Sequence, residues 1–221
     1  MPYTIAVFDL DGTLLDTLDD LTDAVNEALF RFNFPARTRD EVRSFVGNGV
    51  ERLVRLSVPE GTDEDTLIAC LSVFKEMYAA GCDRHTQPYP GILSLLDELR
   101  ACGVRVAVVS NKFDAAVKAL CARYFGDRVE VAVGERATVR KKPAPDTVFE
   151  ALAALGVSSE KKHSVRAVYI GDSDVDILTA RAADMPCLSV TWGFRDAAFL
   201  KESGATVLVD DADALRAAIL G

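Results

Sequence analysis

Four short apolar runs, each halted by a polar or glycine turn and separated from the next by a helical pattern, restrict this chain's fold more than any other feature of its sequence. Residues 3–9 are rich in β-formers and break at Asp11-Gly12-Thr13. Residues 104–109 stop at Ser110-Asn111-Lys112, residues 129–133 at Gly134, and residues 166–170 at Gly171-Asp172-Ser173-Asp174. Runs this short, bounded by turn formers, read as buried strands. Between and after them, residues 92–100, 115–124, 145–155 and 175–183 carry apolar residues at helical spacing. Strand alternating with helix predicts an α/β fold with a doubly wound, Rossmann-like parallel sheet. Such sheets take ligands in the crevice beyond the carboxyl ends of their strands, so the polar turns are expected to converge there.

The alternation fails over residues 16–85. Segments 18–32, 39–46, 50–56 and 64–80 all read as helices with no strand between them, so an all-helical domain is expected to be inserted after the first strand. The expected division is therefore a core domain of residues 1–15 and 86–221 and a helical domain of residues 16–85. Residues 86–91, with two prolines and Gly91, form the return linker.

Composition excludes several classes of function. With 49% hydrophobic and 27% charged residues, the 221-residue chain is that of an ordinary globular protein with enough apolar material for a substantial core. A net charge of -9 repels polyanions, so no nucleic-acid partner is expected. Five cysteines (Cys70, Cys82, Cys102, Cys121, Cys187) fall at irregular spacing without a C-x-x-C pair, and they read as reduced core residues. His85 and His163 are far apart, read as surface residues and give no zinc or iron signature. Neither a basic leader with an apolar segment nor a bilayer-length apolar run occurs, so no membrane partner and a cytoplasmic location are expected.

Chemistry-bearing residues collect at the strand ends. Asp9 and Asp11 close the first strand one residue apart, where paired carboxylates can divide nucleophilic and acid/base duties. An Asx-rich turn explains the pair equally well when it is taken alone. Asp172 or Asp174 also suits the N-cap of the helix from residue 175, with Asp174 the expected cap. Lys142 sits in a basic run with Arg140 and Lys141. Pro143 and Pro145 single out Lys142, because one fixes the chain beside it and the other can open the next helix.

Together, Asp9-Leu10-Asp11-Gly12-Thr13-Leu14-Leu15-Asp16-Thr17, Ser110-Asn111-Lys112, Lys142-Pro143-Ala144-Pro145 and Gly171-Asp172-Ser173-Asp174-Val175-Asp176 resemble the four ordered motifs of the haloacid dehalogenase superfamily. The resemblance covers essentially the whole chain. It implies that Asp9 attacks phosphorus to give a phospho-aspartate and that Asp11 protonates the leaving oxygen and then activates water. It further implies that Ser110 and the Asn111 and Lys112 amides hold the phosphate, and that Lys142 bridges nucleophile and phosphate. Mg²⁺ is the implied cofactor, held by Asp9, Asp172 and the Asp11 carbonyl, with Asp176 holding a metal-bound water or orienting Lys142. Thr13 and Asn111 are candidate substrate contacts. The helical insertion resembles the superfamily's type-one cap, and residues 45–53 resemble the cap loop of phosphoglycolate phosphatases, which makes Asn48 and Arg52 candidate contacts to a substrate anion. Thr191-Trp192-Gly193-Phe194 also resembles that subfamily, with Trp192 expected to pack and not to touch substrate. A small phosphorylated metabolite is thus the expected partner, 2-phosphoglycolate first, with pyrophosphate, sugar phosphates or nucleotides as alternatives, and a monomer or homodimer is expected. A dehalogenase needs no metal, and a phosphosugar mutase of this superfamily typically carries a His soon after the first motif; residues 17–27 contain none.

Overall fold

The computed structural model describes residues 2–81, 84–157 and 165–221. Cys82 and His163 lie outside them. The chain divides into two compact units, Met1–Leu15 with Pro88–Gly221, and Asp16–Gln87.

The first unit begins with β1 (Ile5–Phe8), and the two-residue strands β2 (Leu15–Asp16) and β3 (Gln87–Pro88) mark where the chain leaves it and returns. Between those crossings lie α1 (Leu18–Arg31), α2 (Arg39–Phe45), α3 (Val50–Ser57) and α4 (Glu64–Gly81), which make up the second unit. On α1, Leu18, Leu21, Ala24, Val25, Ala28 and Leu29 form one buried stripe, and α1 packs on α2 and α4. Thr38 begins α2 with a reciprocal capping box to Glu41. The buried Asp20 accepts from the His85 and Thr86 backbone N–H groups and the Thr86 hydroxyl, which anchors the segment after α4 to α1. His85 itself is exposed.

After the return, α5 (Ile92–Ala101), β4 (Arg105–Phe113), α6 (Asp114–Tyr124), β5 (Val131–Glu135), α7 (Asp146–Ala154), β6 (Ala167–Gly171), α8 (Asp174–Ala182), β7 (Cys187–Val190), α9 (Ala197–Glu202), β8 (Leu208–Val209) and α10 (Ala212–Leu220) complete the first unit. Its sheet is parallel, in the order β5-β4-β1-β6-β7-β8. Every residue of β1 is buried, because alternate side chains serve two cores. Ala6, Phe8, Val106, Val108, Val168 and Ile170 face the cluster built with α5, α6 and α10. Ile5, Val7, Ala107, Val109 and Tyr169 face the cluster built with α7 and α8. The chain winds outward through β4 and β5 and then returns to β6 on the other side of β1, which puts the topological switch point beside β1.

The predicted α/β parallel sheet is thus the observed one, with differences at element ends. Strand β4 runs on through Ser110, Asn111 and Lys112, where a turn was expected, with an irregular register between Val109 and Phe113. Those three polar residues are buried and hydrogen-bonded, so they extend the strand where solvent would have turned it. The expectation that all the cysteines are core residues holds for Cys70 and Cys121 but not for Cys102, which is exposed in the turn after α5. No helix among the described residues is long and apolar enough to cross a membrane.

Candidate active site

Strand β1 delivers Asp9 at the switch point. Its neighbours in register, Val108 on β4 and Ile170 on β6, stand opposite Phe8, so the residues just beyond all three strands share one end of the sheet. The structure brings Asp9, Asp11, Thr13, Ser110, Asn111, Lys112, Lys142, Asp172 and Asp176 together there in two hydrogen-bonded sets, one of Asp9, Lys142, Asn111, Asp176, Asp172 and Thr13 and one of Asp11, Lys112 and Ser110, joined through the consecutive residues 110–112 of β4.

Lys142 is the hub. Its side chain is 3% exposed, against 78% for Arg140, so burial separates Lys142 from the solvated part of the basic run. Its Nζ lies 2.6 Å from Asp9 Oδ1, 2.8 Å from Asp176 Oδ1 and 3.2 Å from the Tyr169 hydroxyl. The two facing carboxylates more than offset its desolvation and raise its pKa. Asn111 clasps the lysine's main chain, donating from Nδ2 to the Lys142 carbonyl (3.0 Å) and accepting from the Lys142 N–H (2.8 Å). Pro143 follows through a cis bond, and Pro145 is the N-cap of α7, one residue outside the helix it was expected to open.

Asp176 holds the lysine from the other side. Its Oδ1 accepts from Lys142 and Tyr169, and its Oδ2 accepts from the backbone N–H groups of Asp172 and Ser173 and from the Ser173 hydroxyl. An ionised carboxylate offers about four lone-pair sites, so five donors leave no free position on Asp176. The cap of α8 is Ser173 and neither aspartate. Ser173 has extended backbone angles and forms a reciprocal box with Asp176, while Asp174 is already the first helical residue.

Asp172 is fully buried; Thr13 Oγ1 donates to its Oδ1 at 3.1 Å and the Phe194 N–H to its Oδ2 at 2.7 Å. The Trp192 indole donates to the Thr13 carbonyl at 3.1 Å and the ring packs against the core, as expected of a packing residue. Asp11 pairs with Lys112 Nζ at 2.6 Å, and the Lys112 N–H donates to the Ser110 hydroxyl at 3.1 Å. Thr13 and Asn111 were expected to touch substrate; the structure shows each hydrogen-bonded to another residue of the cluster. Asn48 and Arg52 are exposed residues of the helical unit.

Sequence reasoning missed two groups. Tyr169 was read only as part of an apolar strand, although a phenol in a wholly buried strand needs a polar partner. Lys112 was assigned only its backbone amide, and its pairing with Asp11 depends on a residue 101 positions away.

Electrostatically the cluster is short of positive charge. Oxygens of Asp9, Asp172 and Asp176 lie within 4.8 Å of one another, with Lys142 the one cation hydrogen-bonded to any of the three among the described residues. Burial pushes the Asp9 carboxyl well above the usual carboxylate range, against the pull of Lys142. Burial and then the Asp176 charge push Asp172 to about 7. Asp176 has no lone pair to spare, but among the described residues Asp9 Oδ2 is open and each Asp172 oxygen accepts a single bond. Carboxylate oxygens in so negative a cluster fit a hard divalent cation.

Close backbone approach is also built in. Gly12 has φ +89°, and a Cβ there would lie 2.4 Å from Asp172 Oδ2. Gly12→Ala is therefore expected to displace Asp172, lowering thermal stability by about 1–3 kcal/mol and turnover by at least roughly tenfold. A variant that melts and turns over like the parent would contradict this packing.

Comparison with known proteins identifies the family of this chain. The family model for haloacid dehalogenase-like hydrolases matches residues 6–190. A phosphoglycolate phosphatase of Pseudomonas aeruginosa is 32% identical over 219 residues, covering 94% of this chain and 76% of that protein. The plasmid-borne phosphoglycolate phosphatase of Cupriavidus necator is 33% identical over 220 residues, covering 98% and 93%. The crystal structure of a candidate phosphoglycolate phosphatase from Lactobacillus delbrueckii superposes with a TM-score of 0.93 at 40% identity, covering 100% of both chains. The chain belongs to the haloacid dehalogenase-like hydrolase family and is a phosphoric monoester hydrolase of that family.

Proposed function

We propose that this enzyme is a magnesium-dependent, cytoplasmic phosphatase that acts on 2-phosphoglycolate through a phospho-aspartate at Asp9. The observation that carries this reading is the state of Asp9 itself. Lys142 holds its Oδ1, Oδ2 has no hydrogen-bonding partner among the described residues, and the cluster around it is short of positive charge.

In this reading Asp9 Oδ2 attacks phosphorus. The bond from phosphorus to the leaving oxygen breaks as Asp11 gives that oxygen a proton, leaving Asp9 phosphorylated. Asp11 then takes a proton from water, the water oxygen attacks phosphorus, and release of inorganic phosphate restores the Asp9 carboxylate. Lys142 keeps Asp9 aimed and partly neutralised, while Ser110 and the Asn111 and Lys112 N–H groups meet the phosphate oxygens. Asp9, Asp172 and the Asp11 carbonyl would hold Mg²⁺, and Asp176 acts by orienting Lys142, since its own oxygens are fully engaged. When bound, the ion offsets the charge of a dianionic phosphate that would otherwise repel a carboxylate nucleophile. The helical unit serves as a cap of residues 16–85 that sets the leaving group through Asn48 and Arg52. The substrate rests on the names of the relatives and on the likeness of residues 45–53 to their cap loop.

Two measurements test this. Chelation is expected to remove ester hydrolysis and added Mg²⁺ to restore it; ester hydrolysis unaffected by chelator would overturn the metal dependence. Across a panel of phosphate esters, kcat/KM for 2-phosphoglycolate is expected to exceed that for pyrophosphate, sugar phosphates and nucleotides by at least about tenfold. A different leader would move the substrate assignment while leaving the chemistry in place.

A further inference from the structure

Tyr169 lies on β6 with its ring in the apolar cluster against α7 and α8, fully buried. Its hydroxyl donates to Asp176 Oδ1 at 2.9 Å and accepts from Lys142 Nζ at 3.2 Å. A lysine ammonium has three protons, and in this structure all three have acceptors: Asp9 Oδ1, Asp176 Oδ1 and the Tyr169 oxygen. None is left for a phosphate oxygen.

We propose that Tyr169 is a positioning residue that occupies the third acceptor place of Lys142 in the free enzyme and yields it to the substrate phosphate. The inference rests on the phosphatase reading above and deepens it. Of the three acceptors, two are carboxylates at 2.6 and 2.8 Å, and Tyr169 is the neutral and most distant one. An ammonium binds an anionic oxygen more strongly than an uncharged one, because Coulomb attraction between two ions is added to the hydrogen bond, so an anionic phosphate oxygen displaces the phenol before either carboxylate. Tyr169 does not move away on exchange. It keeps its donor bond to Asp176, which in turn keeps Lys142 directed toward Asp9.

A thermodynamic consequence separates this from a structural role. The Tyr169-to-Asp176 bond exists with and without phosphate, whereas the Lys142-to-Tyr169 bond exists only without it. Tyr169→Phe removes both, so only the second affects binding, and its loss destabilises the free state relative to the bound one. Binding of an oxyanion should therefore tighten.

The experiment is titration of inorganic phosphate into the Mg²⁺-loaded wild type and Tyr169→Phe variant by calorimetry, with thermal melts and steady-state kinetics on the same preparations. Phosphate is expected to bind the variant about three- to tenfold more tightly, the worth of one long hydrogen bond from the ammonium to an uncharged oxygen. KM for the ester should fall with it, while kcat falls through slower phosphate release and a less firmly held Asp176. Unchanged or weaker phosphate binding by a folded variant, with wild-type hydrolysis intact, overturns the exchange and leaves the phosphatase reading standing. A wild type that neither binds phosphate nor hydrolyses any ester overturns both. Should Tyr169→Phe melt far below the wild type, the titration of both proteins is run below the melting transition of the variant and read by the same two outcomes.

Discussion

Asp9→Asn is expected to reduce phosphate-ester hydrolysis by roughly three orders of magnitude or more, without lowering the melting temperature of the metal-free protein. The first part follows from chemistry: a neutral amide is a far poorer nucleophile than a carboxylate, and loss of a covalent nucleophile commonly removes most of an enzyme's advantage. The second part follows from the site's charge. Asp9 is buried, and its carboxyl is already pushed well above the ordinary range by desolvation, so the ionised group is a burden on the fold when no cation is bound. Asparagine is nearly isosteric, can accept the Lys142 hydrogen bond through its amide oxygen, and removes one negative charge from a cluster that has an excess of them. Turnover within tenfold of the parent would remove Asp9 from the role of nucleophile. A large drop in the metal-free melting temperature would instead show that its charge is structural.

Lys142→Met is expected to produce the opposite balance, a severe loss of stability together with loss of activity. Methionine fills a similar volume but leaves Asp9 and Asp176 facing each other in a dry site without the ammonium that joins them. Removing one partner of a buried ion pair costs about 3–5 kcal/mol, which corresponds to a fall in melting temperature on the order of 10 °C for a chain of this size. The deficit should depend on pH in a defined direction. Without Lys142, the folded-state pKa of Asp9 rises further above its unfolded value, so the folded state binds more protons than the unfolded state in the window between them. Stability is then lost as pH rises through that window, and the gap between variant and wild type closes as pH falls to the ordinary carboxylate range. Melting curves across that range read it directly, and a gap that is independent of pH would show that packing around the Lys142 stem, and not the pairing of charges, is what the substitution disturbs.

Much of this was legible from the chain alone because it depends on local order. Apolar runs ending at Asp9 and Gly171 can only be strands that deliver a polar turn, and the helical periodicity of residues 18–32 and 64–80 needs no distant partner to be read. Element ends were less legible where a polar group finds its partner within the core. Ser110 to Lys112 read as a turn because three polar residues in a row would ordinarily seek water. They continue β4 because Asn111 meets the Lys142 main chain and Lys112 meets Asp11. The cap of α8 was misplaced for a related reason: Ser and Asp are both good caps, and the choice of Ser173 depends on Asp176 having two further donors from Asp172 and Ser173 to satisfy.

Sequence by itself determined the fold class and the order of the motifs, because strand and helix ends follow from local periodicity, while the roles expected of Asp9, Asp11, Lys142, Asp172 and Asp176 came from the resemblance of those motifs to the haloacid dehalogenase superfamily. Tertiary structure decided how those residues divide the electrostatic work. Whether a carboxylate can still take a ligand depends on how many donors already point at it, and those donors come from segments far apart in the chain. Asp176 is saturated by Lys142, Tyr169 and the turn before α8, while Asp9 keeps one oxygen open. Hydrogen-bond capacity is a property of the assembled site, and it becomes readable only once the strands lie side by side and the side chains between them have lost water.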